Sequence, residues 1–289
     1  MQLRLLNVAV DGGDLRVLLW GTGKRVAVVV HGITASGMSW QGVARHMPPD
    51  WTLAALDLRG RGHSAHLPGP YGLDRHARDV VAVLRHFGGR PVLAGHSMGA
   101  YIALLARDAH PQLVRRLVLV DGGLPLPVPE GIDLDATLDA TLGPAIARLS
   151  QTFPSIEAYV DFWRAHPALA GRWTADVGAY VRYDLTGEPG RLRSRVVSDA
   201  VHADGGDMLA EKPFADALTR LTRPTPLLTA PAGMFGEPPP LIPHEVVAAW
   251  QGRVPALRPQ VVPGVNHYTI MFDLQGAAAV SQAIRAAAL

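Results

Sequence analysis

An α/β fold built on a mostly parallel sheet is what this sequence predicts, on three observations. Nearly continuous apolar runs such as Val26-Ala27-Val28-Val29-Val30 and Leu117-Val118-Leu119-Val120 suit strands covered on both faces. Amphipathic stretches alternate with them, the arrangement expected when crossover helices join parallel strands. After Asp121 the texture changes: Gly122-Gly123-Leu124-Pro125-Leu126-Pro127-Val128-Pro129 can continue neither strand nor helix, because proline removes donors and fixes φ.

Taken in order, residues 15–20 and 25–31 read as strands, joined by Gly21-Thr22-Gly23 into an antiparallel hairpin at a sheet edge. Residues 53–58, 91–96 and 117–121 are the next strands. Leu73–Phe87 carries Ala77, Val80, Val81 and Leu84 at helical spacing, and Gly88-Gly89 closes it. From the Pro-rich boundary to about Arg223 the chain is rich in helix formers and holds Phe153, Tyr159, Phe162, Trp163, Trp173, Tyr180 and Tyr183, which predicts a helical insertion. Strand texture returns at 225–230 and 258–262, and 277–288 supplies a final helix. The division expected is a core of residues 1–123 and 224–289 with the insertion over 124–223.

Composition narrows the partners. The chain has 289 residues, 48% hydrophobic and 18% charged, ample for a buried core. With 27 Lys+Arg against 25 Asp+Glu the formal charge is +2, so a pI near 9.1 reflects a slight excess rather than a surface built for phosphates, and nucleic acid is not an expected partner. No apolar run approaches the roughly 18 residues of a membrane span. Asn7 and Asp11 interrupt the start before a signal peptide can form, so the mature protein is expected to begin at residue 1 and to reside in the cytoplasm. Zero cysteines exclude disulfides, thiolate nucleophiles and cysteine-ligated metals.

The chemistry centres on Gly95-His96-Ser97-Met98-Gly99, which falls between a strand and a helix. A serine on so sharp a turn needs small neighbours two positions either side, and the turn lifts its hydroxyl above the sheet. It also frees the Met98 N–H to donate to a developing oxyanion. A second donor is expected from the N–H of Ile33, where His31-Gly32-Ile33-Thr34 ends an earlier strand. A serine needs a base, and His267 lies in the Pro- and Gly-containing loop after the last strand. The acid that orients it is open between two sites. Asp121 follows the strand after the nucleophile's helix; Glu237 is the sole carboxylate of the loop Pro231-Ala232-Gly233-Met234-Phe235-Gly236-Glu237. Asp121 ranks slightly ahead, and Asp199, Asp204 and Asp207 are the remaining candidates. His63, His66, His86, His110 and His166 lack metal-ligand spacing and read as solvated side chains. In Asp57-Leu58-Arg59-Gly60-Arg61-Gly62-His63-Ser64 the expectation is an Arg59–Asp57 pair holding a tight turn, not a phosphate loop.

Four segments together resemble the α/β-hydrolase superfamily, in its group of small capped serine hydrolases and esterases, over nearly the whole chain: His31-Gly32 with Gly37 and Trp40, then 57–64, then 95–99, then Gly264-Val265-Asn266-His267. The resemblance implies the α/β-hydrolase fold, a mostly parallel eight-stranded sheet with a helical cap inserted after the sixth strand. A serine rather than an aspartate at the elbow implies acyl transfer, not epoxide opening or halide displacement. The function expected is hydrolysis of a small apolar carboxylic ester, lactone or thioester. Trp40, Trp163 and Met98 are expected to touch the substrate, together with other aromatics of the insertion. Carbon–carbon bond hydrolysis, perhydrolysis, or a non-hydrolytic lyase or ligand-binding role are the alternatives. No cofactor or metal is implied.

Overall fold

The computed structural model describes residues 2–125, 131, 133–209 and 211–288; Leu126 to Pro129, part of the expected boundary, lie outside the described residues. The strands are β1 (Leu3–Val10), β2 (Gly13–Trp20), β3 (Arg25–Val30), β4 (Trp51–Leu56), β5 (Val92–His96), β6 (Arg116–Val120), the short ribbon β7 (Leu185–Thr186) and β8 (Arg193–Ser194), β9 (Thr225–Thr229) and β10 (Leu257–Val261). Eight of them form one sheet in the order β1-β2-β4-β3-β5-β6-β9-β10. From β4 to β10 every pairing is parallel, while β1 and β2 are antiparallel additions at one edge. This is the α/β-hydrolase fold.

The central strands are apolar on both faces because both faces are covered. Val28, Val29, Val30, Leu53, Leu93, Val118 and Leu119 are all solvent-free. Helices α1 (Gln41–Arg45), α2 (Leu73–Phe87) and α3 (Met98–Ala109) follow strands of the first half of the sheet. Helix α2 has the bounds the sequence predicted: Ala77, Val80, Val81 and Leu84 face inward, and Gly88 at φ 57 ends it. Between β6 and β9 the chain runs through α4 (Leu134–Leu142), α5 (Pro144–Ala147), α6 (Ile156–Arg164), α7 (Ala175–Tyr183), α8 (Ser198–Met208) and α9 (Glu211–Thr219); α10 (His244–Arg253), α11 (Thr269–Phe272) and α12 (Leu274–Ala287) complete the molecule. Among the described residues no helix is long and apolar enough to cross a membrane.

One sequence expectation fails. Residues 15–20 and 25–31 do not form a hairpin: β2 pairs with β1 and β4, and β3 lies on the far side of β4. The connection at Gly21-Thr22-Gly23 is instead fastened to the start of β4, through Gly23 N–H to the Trp51 carbonyl at 3.2 Å and Thr52 Oγ1 to the Gly23 carbonyl at 2.7 Å. The true hairpin joins β1 to β2 through Gly12 and Gly13, both at positive φ. Strand β1 carried no signal because this edge strand is mostly exposed and lacks an apolar alternation.

Candidate active site

Ser97 sits between β5 and α3 with φ 55 and ψ −126, a backbone conformation that L residues rarely adopt. The glycines around it are sterically required. A Cβ on Gly95 would fall 2.0 Å from the Gly99 carbonyl oxygen, and one on Gly99 would fall 2.2 Å from that of Val30. The Ser97 N–H bonds to the Val120 carbonyl at 2.9 Å, which ties the elbow to the end of β6. One residue beyond that end stands Asp121, fully buried and at φ 44.

The Asp121 carboxylate is held from two distant segments. Its Oδ1 accepts the Ala230 N–H at 3.0 Å, just past β9, and its Oδ2 accepts from His267 Nδ1 at 2.7 Å. Asp121 is therefore brought to His267. Glu237 is not: it is exposed, and what the loop contributes through it is a backbone carbonyl accepting from Gly233 N–H at 3.0 Å. The loop turns back on itself there, leaving the Glu237 side chain in solvent. Asp204 is committed elsewhere, to Arg61 and His76, and Asp207 accepts the Leu73 N–H; Asp199, in the first turn of α8, lies outside the site as well.

His267 is fixed through its backbone too. Its N–H donates to the Ala232 carbonyl at 3.1 Å, and its carbonyl accepts from His96 Nε2 at 3.0 Å. The His96 and His267 rings lie 4.7 Å apart. Burial first, and then the neighbouring His267 ring, push the His96 pKa well below the ordinary histidine value, so His96 serves as a neutral donor.

Ser97 and His267 line one small cavity of ≈ 30 Å³ with Gly32, Ile33, Thr34, Ser39, Leu142, Tyr180, Met234, Tyr268, Met271 and Phe272. That is room for about two water molecules, so the walls close tightly around the serine. They are mostly apolar, and no lysine or arginine belongs to them. Ile33 is placed beside Ser97 through Gly32, where a Cβ would meet Ser97 Cβ at 3.1 Å. Met98 is the first residue of α3, so its N–H has no intrahelical carbonyl partner.

The turn that carries Ile33 is clamped by side chains at three successive carbonyls. Gly32 O accepts from His31 Nδ1 at 2.8 Å, Ile33 O from Arg61 Nε at 2.9 Å, and Thr34 O from Arg148 Nη2 at 2.7 Å. His31 Nε2 accepts the Leu58 N–H at 3.0 Å, so its tautomer is set, and burial lowers its pKa to about 3. Both arginines are solvent-free and paired with carboxylates from the β6–β9 segment, Arg61 with Asp204 at 2.5 Å and Arg148 with Asp184 at 3.3 Å. This clamp gave no signal in the sequence, since its partners are far apart in the chain.

Several expected contacts are relocated. Trp40 is fully buried and does not line the cavity. Trp163 does not line it either; it packs behind Tyr180 and Tyr268, with the Arg148 guanidinium 5.0 Å from its ring centre. The Met98 side chain is buried and does not line the cavity, and of the insertion's aromatics Tyr180 is the one that reaches the wall. Arg59 pairs with Asp79 at 2.9 Å, not with Asp57, whose carboxylate accepts from the Gly37 and His63 N–H groups and the Tyr183 hydroxyl. Local spacing favoured Asp57, but Asp57 points back under the turn to satisfy those three donors. His166 is buried rather than solvated, its Nδ1 accepting the Ala168 N–H at 3.2 Å. Among the described residues no group of three or more His, Asp or Glu gathers as a metal site.

Comparison with known proteins agrees with this fold. Residues 26–167 match the family described as alpha/beta hydrolase fold. A lipase of Mycobacterium tuberculosis is 34% identical over 140 residues, which cover 47% of this chain and 53% of the lipase, so that match spans about half of each. A 2-(acetamidomethylene)succinate hydrolase of Mesorhizobium japonicum is 29% identical over 240 residues, covering 82% of this chain and 80% of that one. The solved structure of an E-2-(acetamidomethylene)succinate hydrolase has a TM-score of 0.78 at 24% identity, covering 98% of this chain and 100% of that one. The likeness to the solved structure shows the α/β-hydrolase fold, and the matching family model covers residues 26–167, just under half of the chain.

Proposed function

We propose that the chain is a serine hydrolase that cleaves a small apolar carboxylic ester, lactone or thioester through an acyl-enzyme on Ser97. The observation that carries this reading is the 2.7 Å bond between the buried Asp121 and His267, which lines the same cavity as Ser97. With Nδ1–H committed to Asp121, neutral His267 keeps its lone pair on Nε2 to take the Ser97 proton, and the carboxylate stabilises the imidazolium that forms. The Ser97 oxygen attacks the carbonyl carbon, and the N–H groups of Ile33 and Met98 receive the developing oxyanion. Collapse expels the alcohol or thiol, protonated by His267. Water, deprotonated in turn by His267, then releases the acid and restores Ser97.

The walls support an apolar acyl group. Leu142, Met234, Met271 and Phe272 offer hydrophobic surface, and no lysine or arginine stands ready for a carboxylate such as that in the succinate of one relative's name. The β6–β9 segment acts as a cap in this reading, contributing Leu142 and Tyr180 to the enclosure. The test is hydrolysis of a chain-length series of p-nitrophenyl esters without added metal, by the unmodified protein and by Ser97→Ala. Short acyl chains should be preferred and the variant should be inactive. No turnover of any ester, by a protein whose Ser97 still reacts with a phosphonate, would overturn the ester assignment in favour of carbon–carbon cleavage.

A further inference from the structure

At the opposite end of the sheet from Ser97, five arginines line one cleft of ≈ 290 Å³: Arg90 before β5, Arg107 on α3, Arg115 and Arg116 at the start of β6, and Arg223 before β9. Several other arginines are matched with carboxylates, whether buried, as in Arg59–Asp79 and Arg148–Asp184, or at the surface, as in Arg45–Asp176. None of the five in the cleft has a carboxylate partner among the described residues. Asp108, which acts electrostatically on Arg107, is already held by both Arg220 nitrogens at 2.7 Å.

Four of these side chains are oriented by backbone carbonyls, Arg90 through a donation from Nη2 to Val114 O at 3.5 Å. Arg107 Nη1 donates to Arg220 O at 3.0 Å, Arg115 Nε to Ala288 O at 2.8 Å, and Arg116 Nη1 to Arg115 O at 3.0 Å. Each keeps further N–H groups for a ligand. Partial burial, and then the charges of Arg223, Arg115 and Arg90, hold the Arg116 pKa below the ordinary guanidinium value. Like charges gathered without counter-ions raise the energy of the unliganded protein, and an anion that bridges them relieves it.

We propose that this cleft binds a compact polyanion, an inorganic pyrophosphate or a small metabolite carrying a di- or triphosphate. Guanidinium forks match phosphate oxygens in pairs, and several can engage adjacent phosphates at once. One observation favours a small ligand over a nucleic acid, the formal charge of only +2 over the whole chain; Arg90 and Arg115 also line an adjoining cleft with Lys24 and Arg25. Strand β5 separates the cleft from Ser97 by roughly 16 Å at about 3.3 Å per residue, so the ligand is not the substrate of the proposed hydrolysis, and the inference does not rest on that reading.

The test is calorimetric titration with pyrophosphate, tripolyphosphate, orthophosphate and sulfate at matched ionic strength, on the unmodified protein and on Arg115→Ser/Arg223→Ser, two exposed positions. Pyrophosphate should bind at least tenfold tighter than orthophosphate or sulfate, and the double variant should lose at least tenfold in pyrophosphate affinity with p-nitrophenyl ester turnover unchanged. In the unmodified protein, pyrophosphate should also protect Arg115 and Arg223 from phenylglyoxal, a readout that does not depend on the variant folding. Equal binding of pyrophosphate and sulfate, an unaffected double variant, or an absence of protection would overturn the proposal. Tighter binding of a single-stranded oligonucleotide than of tripolyphosphate would overturn it as well.

Discussion

Two residues at the site carry positive φ without being glycine, Ser97 at 55° and Asp121 at 44°. Such conformations cost of order 1–3 kcal/mol each and persist only where the surroundings enforce them. Here the enforcement is visible in the Ser97 N–H bond to Val120, the Asp121 N–H bond to Leu228, and the Asp121 carboxylate shared between Ala230 and His267. Asp121→Asn should therefore lower kcat by about 10⁴, because an amide cannot hold the same His267 tautomer. Glu237→Gln should leave kcat within about twofold, since an exposed loop charge away from the site has nothing to orient; the reverse pattern in steady-state kinetics would remove Asp121 from the role. Ser97 and His267 were legible because the chemistry they need is written locally, in glycines two positions away and in a Pro-Gly loop. The acid was only narrowed, because its partners lie 109 and 146 residues along the chain, beyond any local pattern. Trp40 and Trp163 misled for the complementary reason: residue type says that a side chain is large and apolar, not whether it forms a cavity wall or the layer behind it.

At the scale of elements, the β6–β9 segment does more than cover the cavity. Through Arg148 it grips the Thr34 carbonyl, and through Asp204 it fixes the arginine that grips Ile33. The turn that carries Ile33 is thus set by how these helices pack. Arg148→Lys keeps the charge beside Asp184 but loses the forked geometry. It should lower kcat by about 10- to 100-fold with KM little changed, and should weaken a trifluoromethyl ketone inhibitor in parallel, as expected when an oxyanion donor is misplaced. A folded variant with unchanged kcat would separate the segment from catalysis. Asp204→Ala leaves Arg61 buried without its carboxylate and should destabilise the protein by about 3–5 kcal/mol in chemical denaturation; a loss below about 1 kcal/mol would mean the pair is structurally incidental. Helix α2 was legible to the residue, since an apolar face and a closing glycine pair mark it. The β2–β3 connection was not, because a short Gly-rich link says that two strands are close in sequence, not that β4 lies between them.

For the whole molecule, buried histidines set the response to pH. Burial lowers His31 to about 3 and His166 to about 4, and holds His96 well below the ordinary value. Each stays neutral in the folded protein but takes up a proton near pH 6.5 when unfolded, so this stabilisation is present above pH 6.5 and is lost as pH falls toward 4. Asp57 acts oppositely: burial raises it to about 6, so its contribution is present below the unfolded value of 3.8 and is lost as pH rises through 6. Three histidines outweigh one carboxylate, and the melting temperature should fall steadily between pH 7 and pH 4.5 in calorimetry. A melting temperature that rises on acidification would contradict this balance. Composition was a reliable guide to a buried core and a poor one to charge placement. A near-neutral total averages away the five arginines at the far end of the sheet, which come together only when β5, β6, β9 and α3 are aligned.

The central claim, an acyl-enzyme on Ser97, is tested most directly by mixing the protein with a short p-nitrophenyl ester, quenching in acid within the first turnover, and mapping the acyl group by peptide mass spectrometry. The account predicts an acylated peptide with the modification on Ser97, and none from Ser97→Ala. Ester turnover that persists in Ser97→Ala, or an acyl group found on another residue, would contradict it.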